Sequence, residues 1–126
     1  MHLASRYERT RNETASRERL MVLLFETALR HIRAGATALE TGREAEAAAP
    51  LCKATDIVAH LEATFDRARL PALADSLGAV YRFTCQRLIA AIATRDPVPA
   101  REAEVAFCPI VEAFALAVQE TAGGTP

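Results

Sequence analysis

The chain reads as an all-α, antiparallel up-down four-helix bundle with an N-terminal arm or short cap helix. Three observations predict it. Apolar residues recur every three or four positions in four separate stretches, the helical period. Gly42, Pro71 and the segment TRDPVP punctuate those stretches. No alternation of strand type runs for a convincing length. At 126 residues the chain is one domain. A chain of that size buries about two-thirds of its unfolded surface, so it folds without staples.

Residues 1–15 are charged, with Leu3 and Tyr7 four apart, and predict a loose arm or a short helix with one apolar edge. The first bundle helix is expected from Ser16, as N-cap, to Glu40, with Gly42 just beyond as the C′ residue. Met21, Phe25, Ala28, Ile32, Gly35 and Leu39 step by four and three, a heptad seam. A second helix from Glu44 to Ala68 carries Leu51, Ala54, Val58, Leu61, Phe65 and Ala68. Pro50 within it predicts a kink or a later start. Pro71 opens the third helix, where its missing N–H costs nothing, with Ala74, Leu77, Tyr81 (or Val80), Thr84, Leu88 and Ala91 inward. The fourth runs from Pro99 to Gln119 on Ala103, Phe107, Ile110, Phe114 and Ala117, and Pro109 should kink it. The bundle thus spans residues 16–120, and residues 121–126 form a flexible tail.

Charge and motifs narrow the function classes. Fifteen basic residues face 16 acidic ones, so the basic stripe of a nucleic-acid binder is missing. No apolar run reaches the length that crosses a membrane. Cys52, Cys85 and Cys108 are odd in number and scattered, which suits a reducing, cytoplasmic setting and small buried thiols. The N-terminus has no apolar segment of signal-peptide type. A di-iron bundle needs Glu-x-x-His pairs, and none of His2, His31 and His60 follows a glutamate by three. Neither a nucleophile beside a base nor a glycine-rich phosphate loop is legible, so the expectation is a protein without catalysis, metal or cofactor.

What remains is apolar surplus. Leu20 to Glu26 reads LMVLLFE, apolar most of the way round the helix. Leu20, Leu23 and Leu24 fall off the seam of Met21 and Phe25, and Ile57 precedes the seam residue Val58. Val111 and Val118 widen the fourth stripe. Two readings are open. Either the seams are broad and the N-terminal arm packs over the excess, or the surface is a groove for a partner's amphipathic helix.

Several motifs in order resemble the flagellin export chaperone FliS family. Tyr7 precedes TASRERLMVLLFETALR, in which Leu24 to Arg30 matches the family's L-Y-D-G-A-(I/L)-R block. KATDIVAHLEATFD, from Lys53 to Asp66, is similar to the second-helix pattern, and LADSLGAVYRFTCQRL, from Leu73 to Leu88, to the third. The resemblance covers about residues 7–118. The chain departs at the turn, where RARL replaces G-G, and at Phe114, where the family has tryptophan. Pro50 and Pro109 are also unusual for the family.

The resemblance implies a cytosolic chaperone that holds the C-terminal amphipathic segment of flagellin in an apolar groove and prevents early polymerisation. It leaves room for a second partner at the export gate. The implied partner-binding residues are Tyr7, Leu20, Leu23, Leu24, Ile57, Val58 and Leu61, with Leu3 and Tyr7 as a removable cover. A non-catalytic adaptor that dimerises through its apolar face is the alternative. A bundle holding a small molecule is a third reading.

Overall fold

Four helices account for nearly every described residue of the computed structural model, which describes residues 2–64 and 71–123. They are α1 (His2–Glu40), α2 (Glu44–Thr64), α3 (Pro71–Thr94) and α4 (Pro97–Gly123). Each packs on its chain neighbour, and α4 closes the ring against α1, the up-down arrangement of an antiparallel bundle.

The turns follow from local chemistry. At the end of α1, Gly42 adopts φ 77°, its N–H donates to the Leu39 carbonyl at 3.3 Å, and the Arg43 N–H donates to the Ala38 carbonyl at 2.7 Å. This is a Schellman motif with glycine at the left-handed position. Between α3 and α4, Arg95 takes that position itself, with φ 58°. The Asp96 carboxylate then accepts the Val98 N–H at 3.0 Å, which caps α4 and puts Pro97 at its first position. The fourth helix therefore starts two residues before the expected Pro99, because both prolines fit the first turn, where no N–H is needed.

The start of α1 also departs from expectation. Ser16 is no cap; the helix runs unbroken from His2. No Gly or Pro occurs before Gly35, and once formed, a helix extends residue by residue. Residues 3–13 are all exposed, so the first turns stand as a rod rather than a folded-back arm. Pro50 lies inside α2, which excludes the later start. Pro109 lies inside α4. In each case the carbonyl that loses its partner, that of Glu46 or Val105, belongs to an exposed residue.

Most predicted seam positions form the core, but Met21, Leu77, Ile110 and Phe114 are only half-buried and Ala117 is exposed. Phe25, Ala28, Ile32 and Leu39 of α1 are buried with Leu51, Ala54, Val58 and Leu61 of α2. Tyr81, Leu88 and Ala91 of α3 join Ala103 and Phe107 of α4. Phe25 meets Phe107 at 5.8 Å and Phe114 at 5.0 Å between ring centroids, both tilted. Thr84 is buried and satisfies its hydroxyl on the Val80 carbonyl at 2.7 Å. Seam positions Phe65, Ala68 and Ala74 lie outside the residues whose packing is described. The cysteines only partly follow expectation: Cys85 and Cys108 are half-buried, whereas Cys52 is exposed.

Candidate partner-binding groove

Helical phase decides which side of α1 each leucine of LMVLLFE takes. At about 100° per residue, Leu24 lies roughly a quarter-turn from Phe25, and Leu20 lies beyond it on the same flank. His31 is on that flank too. On α2, Ile57 and Lys53 occupy the side a quarter-turn or more from Val58. The two flanks face each other, because the Lys53 charge reaches His31. These residues thus border the α1–α2 seam, Leu20, Leu24 and His31 on one side and Ile57 and Lys53 on the other, and make it the candidate groove.

Burial within the groove is graded. Leu24 and Ile57 are half-buried against the core and form the floor. Leu20 is 54 % exposed at the lip. Leu23 points outward from α1 and is 56 % exposed. His31 is half-buried, and burial, with the Arg30 and Lys53 charges, holds its imidazole below the usual histidine range. The flank therefore presents a neutral ring near neutral pH.

Two expected groove residues are excluded. Val58 and Leu61 have no accessible surface and belong to the core, since they sit on the same stripe as Leu51 and Ala54. A residue on the inward seam cannot also line an outer groove. The cover is also corrected. Leu3 is 82 % and Tyr7 68 % exposed on the straight extension of α1, and Arg11 lies over the Tyr7 ring at 5.9 Å. Neither folds over the groove.

The opposite flank of α1 is polar and holds the bundle rather than a ligand. Arg101 of α4 donates to both Glu40 oxygens at 2.6 and 3.0 Å, to Glu104 at 3.0 Å and to the Thr37 hydroxyl at 3.1 Å. Arg33 donates to Glu104 at 2.7 Å. Burial works against the Glu104 charge, yet the donors from Arg33 and Arg101 outweigh it and keep the carboxyl below its ordinary range.

A second apolar surface escaped sequence reasoning. Val98, Val105 and Leu116 are 60, 73 and 56 % exposed and share the face of α4 directly opposite Phe107. With Phe83 of α3 the first two line an open trough of about 480 Å³. Its signal was the spacing of Val98, Val105 and Leu116, in phase with each other and out of phase with the seam. Val111, expected to widen the stripe, is buried, and Val118 is half-buried.

Among the described residues no cluster of His, Cys, Asp and Glu could hold a metal ion, and no helix is long and apolar enough to cross a membrane. A family model described as flagellar protein FliS matches residues 1–121. No curated protein matches the chain.

Proposed function

The chain belongs to the FliS family of flagellar chaperones, and from that premise we propose that its α1–α2 groove holds the C-terminal amphipathic segment of flagellin before export. The observation that supports this reading is the graded apolar groove. Leu24 and Ile57 give a floor already anchored in the core, and Leu20 gives a lip that stays over half exposed without a partner.

The mechanism is coupled folding and binding. A disordered segment loses chain entropy when it becomes helical and must recover that loss by burying apolar area. Each leucine it covers contributes about 1.5–3 kcal/mol. The exposed lip residues are therefore worth enough to order a few helical turns, and little enough to permit release. Occupied, the client's apolar face is unavailable for pairing with other flagellin chains, so polymerisation waits for secretion. In this reading the protein works in the cytoplasm and passes its client to the export gate. Tyr7 lies beyond the groove, where α1 overhangs, and contacts a client helix that runs past the floor.

Calorimetry with the flagellin C-terminal segment tests the reading. Binding that is lost in Leu20→Asp, with the helical circular dichroism intact, supports it. No heat from the wild-type protein at tens of micromolar sinks the client assignment.

A further inference from the structure

The α1–α2 seam does not end with its apolar residues. Where α1 finishes and α2 begins, it opens into a cleft of about 500 Å³. Pro50 lines the cleft on the α2 side, one turn from Lys53, so cleft and seam are continuous. Arg30, Thr37 and Thr41 share the outer face of α1 and form the other wall, and Arg33 and Arg43 complete it.

The cleft is cationic, unlike the chain as a whole, whose net charge is -1. Glu46 is the one carboxylate among the described residues that line it. Arg43 holds Glu46 only at 3.9 Å, with the two side chains 70 and 69 % exposed. Arg33 is committed to Glu104 at 2.7 Å and to the Cys108 sulfur at 3.5 Å. Arg30 has no carboxylate partner among the described residues. The Thr37 hydroxyl accepts from Arg101 at 3.1 Å, which leaves its own proton free to donate. Half-charges of opposite sign meet at this corner, negative from the end of α1 and positive from the start of α2. They offset one another, so the guanidinium groups of Arg30 and Arg43 set the sign. Such planar forks are the groups that grip a carboxylate through two parallel hydrogen bonds.

A C-terminal segment ends in an α-carboxylate, which is ionised at neutral pH. When the segment is helical, its last turn adds a negative half-charge at the same end. About 25 Å of α1 separates Leu20 from Thr37, the length of a helix of about 17 residues. A client helix of four to five turns therefore reaches from the apolar lip to the cleft.

We propose that the cleft takes the terminal carboxylate of the client and so fixes the client's direction. Its last helix runs parallel to α1, with the amino end at Leu20 and the carboxyl end at Arg30 and Arg43. This rests on the reading of the seam as the client site, and adds a polarity that an apolar floor alone does not impose. The reverse direction brings the positive half-charge of an amino end onto the arginines.

Calorimetry at neutral pH compares two versions of a flagellin C-terminal peptide of about 18 residues, one ending in the free acid and one in an amide. The acid should bind about fivefold more tightly, and its advantage should shrink as salt rises from about 0.05 to about 0.5 M. The double variant Arg30→Gln, Arg43→Gln should bind both peptides as weakly as the wild type binds the amide, with circular dichroism unchanged. A nitroxide on the first residue of the acid peptide should broaden amide resonances around Leu20 and spare those of Thr37 and Thr41. Equal affinity of the wild type for acid and amide, or broadening at Thr37 and Thr41 instead, overturns the proposal and leaves the client site standing. An acid advantage that persists in the double variant overturns it too, because another group then reads the carboxylate. If neither peptide binds, the client reading and the polarity fall together.

Discussion

Gly35 of α1 faces Leu51 of α2 so closely that a Cβ at Gly35 would overlap the leucine side chain. Leu51 has no accessible surface, so it cannot swing away. Alanine normally helps a helix interior by about 1 kcal/mol over glycine. Here overpacking of about 1–3 kcal/mol opposes that gain. Gly35→Ala should therefore destabilise the protein on balance, by up to about 2 kcal/mol once the helices have shifted apart. Urea unfolding of the two proteins measures it. A stabilised variant would show that the α1–α2 contact is looser than the geometry says.

The same helix pair separates core from groove by a single step of phase, and this makes a paired prediction. Leu61→Ala empties a fully buried site and should cost about 2–5 kcal/mol of stability. Leu20→Asp changes a residue that is 54 % exposed and should leave stability within about 0.5 kcal/mol, while it removes flagellin-segment binding. Denaturant midpoints together with calorimetry read both. If Leu20→Asp unfolds the domain, Leu20 is structural and the groove lies elsewhere.

Much of the bundle was legible because its devices are local. Gly42 announces the end of α1 by a backbone shape that glycine adopts readily, and the step of four and three from Met21 to Leu39 announces the inward stripe. The groove was half legible for the same reason. Leu20, Leu24 and Ile57 fall off the seams and do reach the surface, whereas Val58 and Leu61 were claimed for both seam and groove, which one helix face cannot serve. The start of α1 lies upstream of Ser16 because a serine in cap position does not begin a helix where no breaker precedes it. The α4 face was missed because Val98, Val105 and Leu116 never form a run; only their angular agreement reveals them. Which of the exposed surfaces meet is a question of register between helices, and a periodic pattern carries no register.

Acid should loosen the α1–α4 side of the bundle before any other. Arg101 keeps the Glu40 carboxyl below its usual range, and Arg33 and Arg101 do so for Glu104 despite its burial. A carboxylate whose folded value is depressed adds stability above its unfolded value of 4.5, and that addition is lost as pH falls through the lower folded value. Stability measured by urea should therefore fall progressively below about pH 4.5. Arg101→Gln removes donors to both carboxylates, so its stability should depend less steeply on pH in that window. An unchanged slope would assign the acid sensitivity to other carboxylates.

His31 makes a second pH effect, in a different window and of the same sign. Its imidazole is held below 6.5 by burial first, then by the charges of Arg30 and Lys53. The neutral ring is thus the form that the folded bundle prefers. Its contribution is complete above the unfolded value and is lost as pH falls from about 6.5 through the lower folded value. Protonation also sets a cation on the flank of α1 that carries Leu24, within reach of the Lys53 charge. Affinity for an apolar client helix should therefore weaken as pH falls below about 6.5, along with stability. His31→Gln keeps a polar, uncharged side chain at all these values and should flatten both profiles, read by urea unfolding and by calorimetry with the flagellin segment. If binding by His31→Gln still weakens as steeply with acid, the titrating group sits on the client or elsewhere on the chain, and His31 is only packing.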